Sequence, residues 1–183
     1  MAKLISKTYA GALFELAVEE NKVDELVAQA IAILKIFEDD KDFMKFMNHP
    51  QIDKEEKIKL IDSAFSKNAS DEITGFIKVI VEKDRFGQIV DIFKEFVHEI
   101  REYKGIGEAY VSTPMPLTEI QKSDIKDKLL ATTGYKEIDL KCSIDESLIG
   151  GMVIRIGDRI VDSSIKRQLV NLKTELKNIQ IKS

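Results

Sequence analysis

The sequence predicts an α+β chain of two domains: a six-helix bundle over residues 1–104, then a small α/β domain, β-α-β-β-α, over residues 105–183. Three observations carry that reading. Apolar residues recur at three-four spacing through the first hundred residues, the period of helices with one buried side. That period gives way to alternation after Gly105 and Gly107, which punctuate the chain. Charge divides at the same place: residues 1–104 hold 16 Lys/Arg against 21 Asp/Glu, a net of −5, whereas residues 105–183 hold 12 against 11, a net of +1.

The helices follow in order. The first spans roughly Leu4 to Glu20 and includes YAGALFELAV, residues 9–18, with Glu15 its one charge. In the second, VDELVAQAIAILKIFED, Val23, Leu26, Val27, Ala30, Ile31, Leu34 and Phe37 form a stripe. A short third, DFMKFMN, stops before His49-Pro50, because a prolyl ring disfavours helix in the residue ahead of it. Asp53 with Glu56 three residues on makes a capping-box pattern for KEEKIKLIDSAF. Ser70 or Asp71 caps EITGFIKVIVEKD. The sixth, QIVDIFKEFVHEIREYK, aligns Ile89, Ile92, Phe93, Phe96, Val97 and Ile100.

Beyond Gly107, EAYVST alternates as a strand and ends at Pro114 and Pro116. LTEIQKSDIKDKLLATTG reads as a helix closed by Gly134. KEIDLKCSID puts Ile138, Leu140, Cys142 and Ile144 on one face, which predicts a half-buried strand. GMVIRIGDRIVD predicts a hairpin, and glycine first in the Gly157-Asp158 loop suits a type II′ turn. The closing helix is SSIKRQLVNLKTELKNI.

Composition excludes several functions. Apolar content of 44% with only three prolines and nine glycines is that of a folded, helix-rich chain rather than a disordered one. The net charge of −4 disfavours nucleic acid, whose phosphates need a basic face. Cys142 is the one cysteine, so no internal disulfide forms, and a reducing compartment is expected. No apolar run reaches the roughly 18 residues of a membrane span. The early start of the helical pattern leaves no room for a signal peptide.

Catalytic vocabulary is sparse. His49 and His98 lack metal-ligand spacing, so no metal site and no cofactor are expected. Gly105-Ile106-Gly107 follows a helix and lacks the third glycine of a dinucleotide fingerprint, so it reads as a linker. Gly150-Gly151 precedes a strand, which suits a bulge or a point of close backbone contact rather than an anion site. No acid–base pair stands out. The chain reads as a non-enzyme.

A surplus of apolar surface remains. The first helix is apolar nearly all round, and so is ITGFIKVIV, residues 73–81. There Ile73, Ile77, Ile80 and Val81 make one stripe, and Phe76, Val79 and Lys83 a neighbouring one. Gly75 inside that helix costs about 1 kcal/mol relative to alanine, which suggests close helix–helix approach. Two arrangements account for the surplus. Either both helices are covered on all sides within a bundle, or they leave a groove for an amphipathic helix of another protein.

Four stretches, YAGALFELA, FMNHPQIDKEEKIKLIDSAF, FIKVIVEKDRF and LIGGMVIRIGDRIVDSSIKRQLVNL, occur in this order across essentially the whole chain. Together they resemble the delta subunit of bacterial F-type ATP synthases, the counterpart of the mitochondrial oligomycin sensitivity conferral protein. Departures are mild: Ser163 where the family often has glycine, Lys166 where it has arginine, and Asp84 where asparagine is common. The resemblance implies a non-catalytic stator part at the cytoplasmic face of the cell membrane, one copy per complex, serving ATP synthesis and hydrogen ion transport. It implies that the N-terminal bundle grips the N-terminal helix of an alpha subunit between the first and fifth helices. The matching positions are Tyr9, Ala12, Leu13 and Leu16 with Phe76, Val79, Ile80 and Lys83. It also implies that the C-terminal domain meets the b subunits of the peripheral stalk. For that contact the basic residues Lys166, Arg167, Lys173 and Lys177 are candidates, a solvated face being the alternative. A competing class is an RNA-associated helical bundle of antitermination type, against which the acidic first hundred residues stand.

Overall fold

In the computed structural model, the backbone is described for residues 2–65 and 69–180, and side chains for residues 4–65 and 69–172. Among these the class is α+β. The helices before the first strand are α1 (Ala2–Glu19), α2 (Val23–Asp39), α3 (Lys41–Met47), α4 (Lys54–Phe65), α5 (Asp71–Glu82) and α6 (Ile89–Lys104). A 3-10 turn, Phe86–Gln88, precedes α6. The chain then continues β1 (Ile106–Thr113), α7 (Glu119–Thr133), β2 (Glu137–Ile144), β3 (Val153–Ile156), β4 (Arg159–Asp162) and α8 (Ile165–Gln180). It divides into two compact units, residues 1–101 and 102–183.

In the first unit, every helix contributes to one core, from Ala10, Leu13 and Ala17 of α1 to Ile92, Phe93, Phe96 and Ile100 of α6. Phe37 stands at its centre, stacked on Phe43 and edge-on to Phe65 and Phe86. Helix starts are set by local chemistry. The Ser70 hydroxyl accepts from the Ile73 amide at 3.4 Å, and Asp40 accepts from the Phe43 amide at 2.9 Å. Surface ion pairs tie neighbours together, Lys78 to Asp62 between α5 and α4 at 2.5 Å and Lys94 to Glu38 between α6 and α2 at 2.8 Å. Lys54, opening α4, reaches both the Asp84 carboxylate at 2.6 Å and the Glu82 carbonyl at 2.7 Å at the end of α5. Asp84 itself has φ 55, a left-handed position where asparagine is favoured.

In the second unit the sheet order is β2-β1-β3-β4, with β1 and β2 parallel across α7 and the remaining pairs antiparallel. The order is thus β-α-β-β-β-α, one strand more than the β-α-β-β-α expected, because the hairpin supplies two strands. Ala109, Val111, Ile138 and Ile156 pack on Ile125 and Leu129 of α7. The other face is polar: Tyr110 donates to Glu108 at 2.9 Å, Lys141 pairs with Glu108, and the Ser112 and Ser143 hydroxyls meet at 2.9 Å.

Cys142 and Ile144 correct a second expectation. Both are exposed, Ile144 at 58%, although their alternation with Ile138 and Leu140 is as expected. β2 is an edge strand, and the apolar cover it shares with α7 reaches Ile138 and Leu140 but no further.

The hairpin turns on two residues, Gly157 and Asp158, with positive φ at Gly157 alone of the pair, the pattern of a type II′ turn. Gly151 (φ 79) lies against the start of α8, where a Cβ would come within 2.4 Å of the Ser163 carbonyl oxygen. Ser163 also donates its hydroxyl to the Met152 carbonyl at 3.0 Å, a bond that glycine would not supply. Asp162 accepts from the Ser164 amide and hydroxyl, and that hydroxyl in turn accepts from the Arg167 amide. The V-D-x-S step is therefore the capping structure of α8.

Candidate partner-helix groove

The helical period sorts the residues of α1 by direction. Ser6, Ala10, Leu13 and Ala17 share one side and are buried. Ile5, Tyr9, Ala12 and Leu16 fall within about 60° of arc on a flank of that side. Ala12 is exposed and the other three are half-buried. Tyr9 and Leu16 rest against the core at its edge.

On α5 the buried side is Ile73, Thr74, Ile77, Ile80 and Val81. Glu72, Phe76, Val79 and Lys83 occupy a second arc, again about 60° wide. Val79 is 44% exposed, Lys83 is exposed, and Phe76 is half-buried with its ring edge-on to Phe93 of α6 at 5.9 Å. Both arcs repeat at i, i+4, i+7, i+11, the spacing by which an amphipathic helix is read.

Two expected groove residues are corrected. Leu13 is 1% exposed and Ile80 0%, so both belong to the core and offer nothing to a partner. Each is one residue away from a true surface position, Ala12 and Val79, and a 100° rotation separates the two. Ile5 and Glu72 lie on these arcs and were missed by sequence reasoning; the 4-3-4 spacing from Leu16 back to Ile5, and from Lys83 back to Glu72, is the signal that finds them. Gly75 is half-buried, but a Cβ there would meet nothing within 4 Å, so among the described residues no other helix approaches it closely.

A clasp ties the turn after α1 to the start of α5. Lys22, in the turn after α1, pairs with Glu72 in the first turn of α5 and with Glu20 at 2.9 Å. The donated hydrogen bond from Lys22 holds the Glu72 carboxyl at about 2, below its usual range, and Glu72 with Glu20 raises the Lys22 ammonium.

The second candidate set is only partly visible. Lys166 and Arg167 are exposed in the first turn of α8, while the side chains of Lys173 and Lys177 lie outside the described residues. No group of three or more metal-ligating side chains comes together among the described residues. No described helix is long and apolar enough to cross a membrane.

The geometry defines a helical unit that leaves one flank of α1 and one of α5 only partly covered. Comparison with known proteins places it. Residues 5–176 match the family model for the ATP synthase delta (OSCP) subunit. The ATP synthase subunit delta of Lachnoclostridium phytofermentans is 44% identical over 99% of this chain and all of that protein. The subunit delta of Brevibacillus brevis is 34% identical over 92% of this chain and 96% of its own length. A chain of the Toxoplasma gondii mitochondrial ATP synthase hexamer shares the fold, with a TM-score of 0.76 at 17% identity, covering 93% of this chain and 96% of that one. The chain belongs to the ATP synthase delta (OSCP) subunit family.

Proposed function

We propose that this chain is a non-catalytic stator subunit of a proton-translocating F-type ATP synthase, tying the peripheral stalk to the catalytic head so that the head does not turn with the rotor. Residues 1–104, as a six-helix bundle, hold the N-terminal helix of an alpha subunit against Ile5, Tyr9, Ala12 and Leu16 of α1 and Phe76, Val79 and Lys83 of α5. Residues 105–183 hold the b subunits of the stalk, with Lys166, Arg167, Lys173 and Lys177 steering the encounter more than supplying affinity. The chain sits at the cytoplasmic face of the membrane through the complex.

One observation carries the reading: Val79 stands 44% exposed between half-buried Phe76 and Lys83, on a helix whose opposite side is fully packed. A partner helix laid along this flank covers Val79 and Phe76 and displaces no core side chain. Two attachments on one chain also multiply. The second contact forms at high effective concentration, which gains on the order of a hundredfold over either alone.

The test is calorimetric titration of the full chain with a synthetic peptide matching the alpha-subunit N-terminal helix of the same organism. One-to-one binding by the wild type, lost in a folded Val79→Asp variant, is the expected result. Equal binding by both would reject the α5 flank as the site.

A further inference from the structure

We propose that the step from Gly105 to Gly107 is a locked joint and not a swivel: Tyr135 clamps it, so that the last turn of α6 and the sheet of the second unit move as one body. The chain between the two proposed attachments passes through this step. The lock is nonetheless a property of the free chain, and it stands or falls without any partner.

A glycine pair at a change of texture suggests slack, because glycine leaves the backbone its widest freedom. Here each glycine has a structural task instead. Gly105 follows the last residue of α6 with φ 71, the left-handed residue that stops a helix. Its amide donates to the Glu102 carbonyl at 3.0 Å, and its carbonyl accepts from the Lys136 amide at 2.8 Å and the Glu137 amide at 3.3 Å. Gly107 is buried within β1, where a Cβ would come within 2.5 Å of the Tyr135 ring. The missing side chain lets that ring lie on the strand.

Tyr135 reaches this position because Gly134 ends α7 in left-handed backbone, φ 76. With its ring on Gly107, its hydroxyl donates to the Glu102 carboxylate, 2.9 and 3.2 Å from the two oxygens. Glu102 stands in the last turn of α6, and the division between the two compact units falls just before it, after Arg101. The clamp therefore closes inside the second unit. One side chain holds the helix end by a charge-assisted bond and the start of the strand by contact. Burial, then that bond, raises the Tyr135 hydroxyl above its usual range, so it keeps its proton across physiological pH.

The test is nitrogen-15 relaxation on the full chain, compared with Tyr135→Ala and Tyr135→Phe. In the wild type, order parameters of Gly105, Ile106 and Gly107 are expected at about 0.85, as for rigid backbone, and in Tyr135→Ala below about 0.6. Tyr135→Phe keeps the ring and gives up the bond. It is expected to leave Gly107 rigid and to speed hydrogen exchange at the Gly105 amide by about two- to tenfold, the worth of one hydrogen bond. Wild-type values below about 0.6 overturn the lock, as do unchanged order parameters in a folded Tyr135→Ala. Should Tyr135→Ala unfold the second unit, Tyr135→Phe decides: unchanged exchange at Gly105 overturns the clamp.

Discussion

Lys22 joins two elements fifty residues apart: its ammonium pairs with Glu72 in the first turn of α5 while holding Glu20 at the end of α1. The bond keeps the Glu72 carboxyl near 2 in the folded chain, against 4.5 for a free glutamate. A carboxyl with a lowered folded pKa stabilises the fold above its unfolded pKa and loses that contribution as pH falls through the folded one. Glu72→Gln is therefore expected to lower the melting temperature at pH 7, with the difference shrinking between pH 4.5 and about 2. Thermal melts of both chains across that range check it.

Glu99 has the opposite sign. Burial, then the charge of Glu95, raises its pKa above the usual carboxyl range. A raised acid favours the fold while protonated and burdens it once charged. Glu99→Gln is expected to raise the melting temperature at neutral pH and to make no difference below pH 4.5, measured in the same melts.

A core position on α1 and a flank position on α5 should behave as opposites. Leu13→Ala empties a fully buried site and is expected to destabilise by about 2–5 kcal/mol. Val79→Asp, on a surface flank, is expected to change stability by no more than about 0.5 kcal/mol, yet to abolish binding of the alpha-subunit peptide. Denaturant unfolding alongside calorimetry separates the two effects.

Gly75 lies in the interior of α5 with open space where its Cβ would be. In the free chain Gly75→Ala is expected to stabilise by about 0.5–1 kcal/mol, through helix propensity alone. A loss of stability would show that some group of this chain does pack against Gly75.

Gly151 is the contrary case, because a Cβ there meets the Ser163 carbonyl at 2.4 Å and the backbone is left-handed, φ 79. Gly151→Ala is expected to cost more than about 2 kcal/mol and to be felt in residues 102–183. Hydrogen exchange should show protection lost in β3, β4 and the first turn of α8 while α1–α6 keep theirs.

The helices were legible because their apolar stripes and caps are local: Ser70 before α5 and the run from Ile89 to Ile100 in α6 need no knowledge of the rest of the chain. Of the two readings of Gly150-Gly151, bulge or close backbone contact, the second holds at Gly151, which lies against the Ser163 backbone, while Gly150 lies against the Ile165 side chain. What could not be read is which of two adjacent apolar stripes finds cover. Leu13 and Leu16 are chemically alike, and only the helices around α1 decide that the first is core and the second an edge. The same holds for Cys142 and Ile144, whose alternation is plain but whose exposure depends on how far α7 covers an edge strand. Gly75 suggested close approach, and among the described residues that approach is not made.

The central claim is a bridge, and a bridge is tested by asking whether both ends are held at once. A soluble b-subunit fragment is immobilised, the full chain is added, and retention of a catalytic head free of its own delta subunit is measured. The account predicts that the head is retained only when the chain is present. With Val79→Asp the chain should stay on the b fragment and the head should wash through. A head retained equally by the wild type and the variant, or by neither, would contradict it.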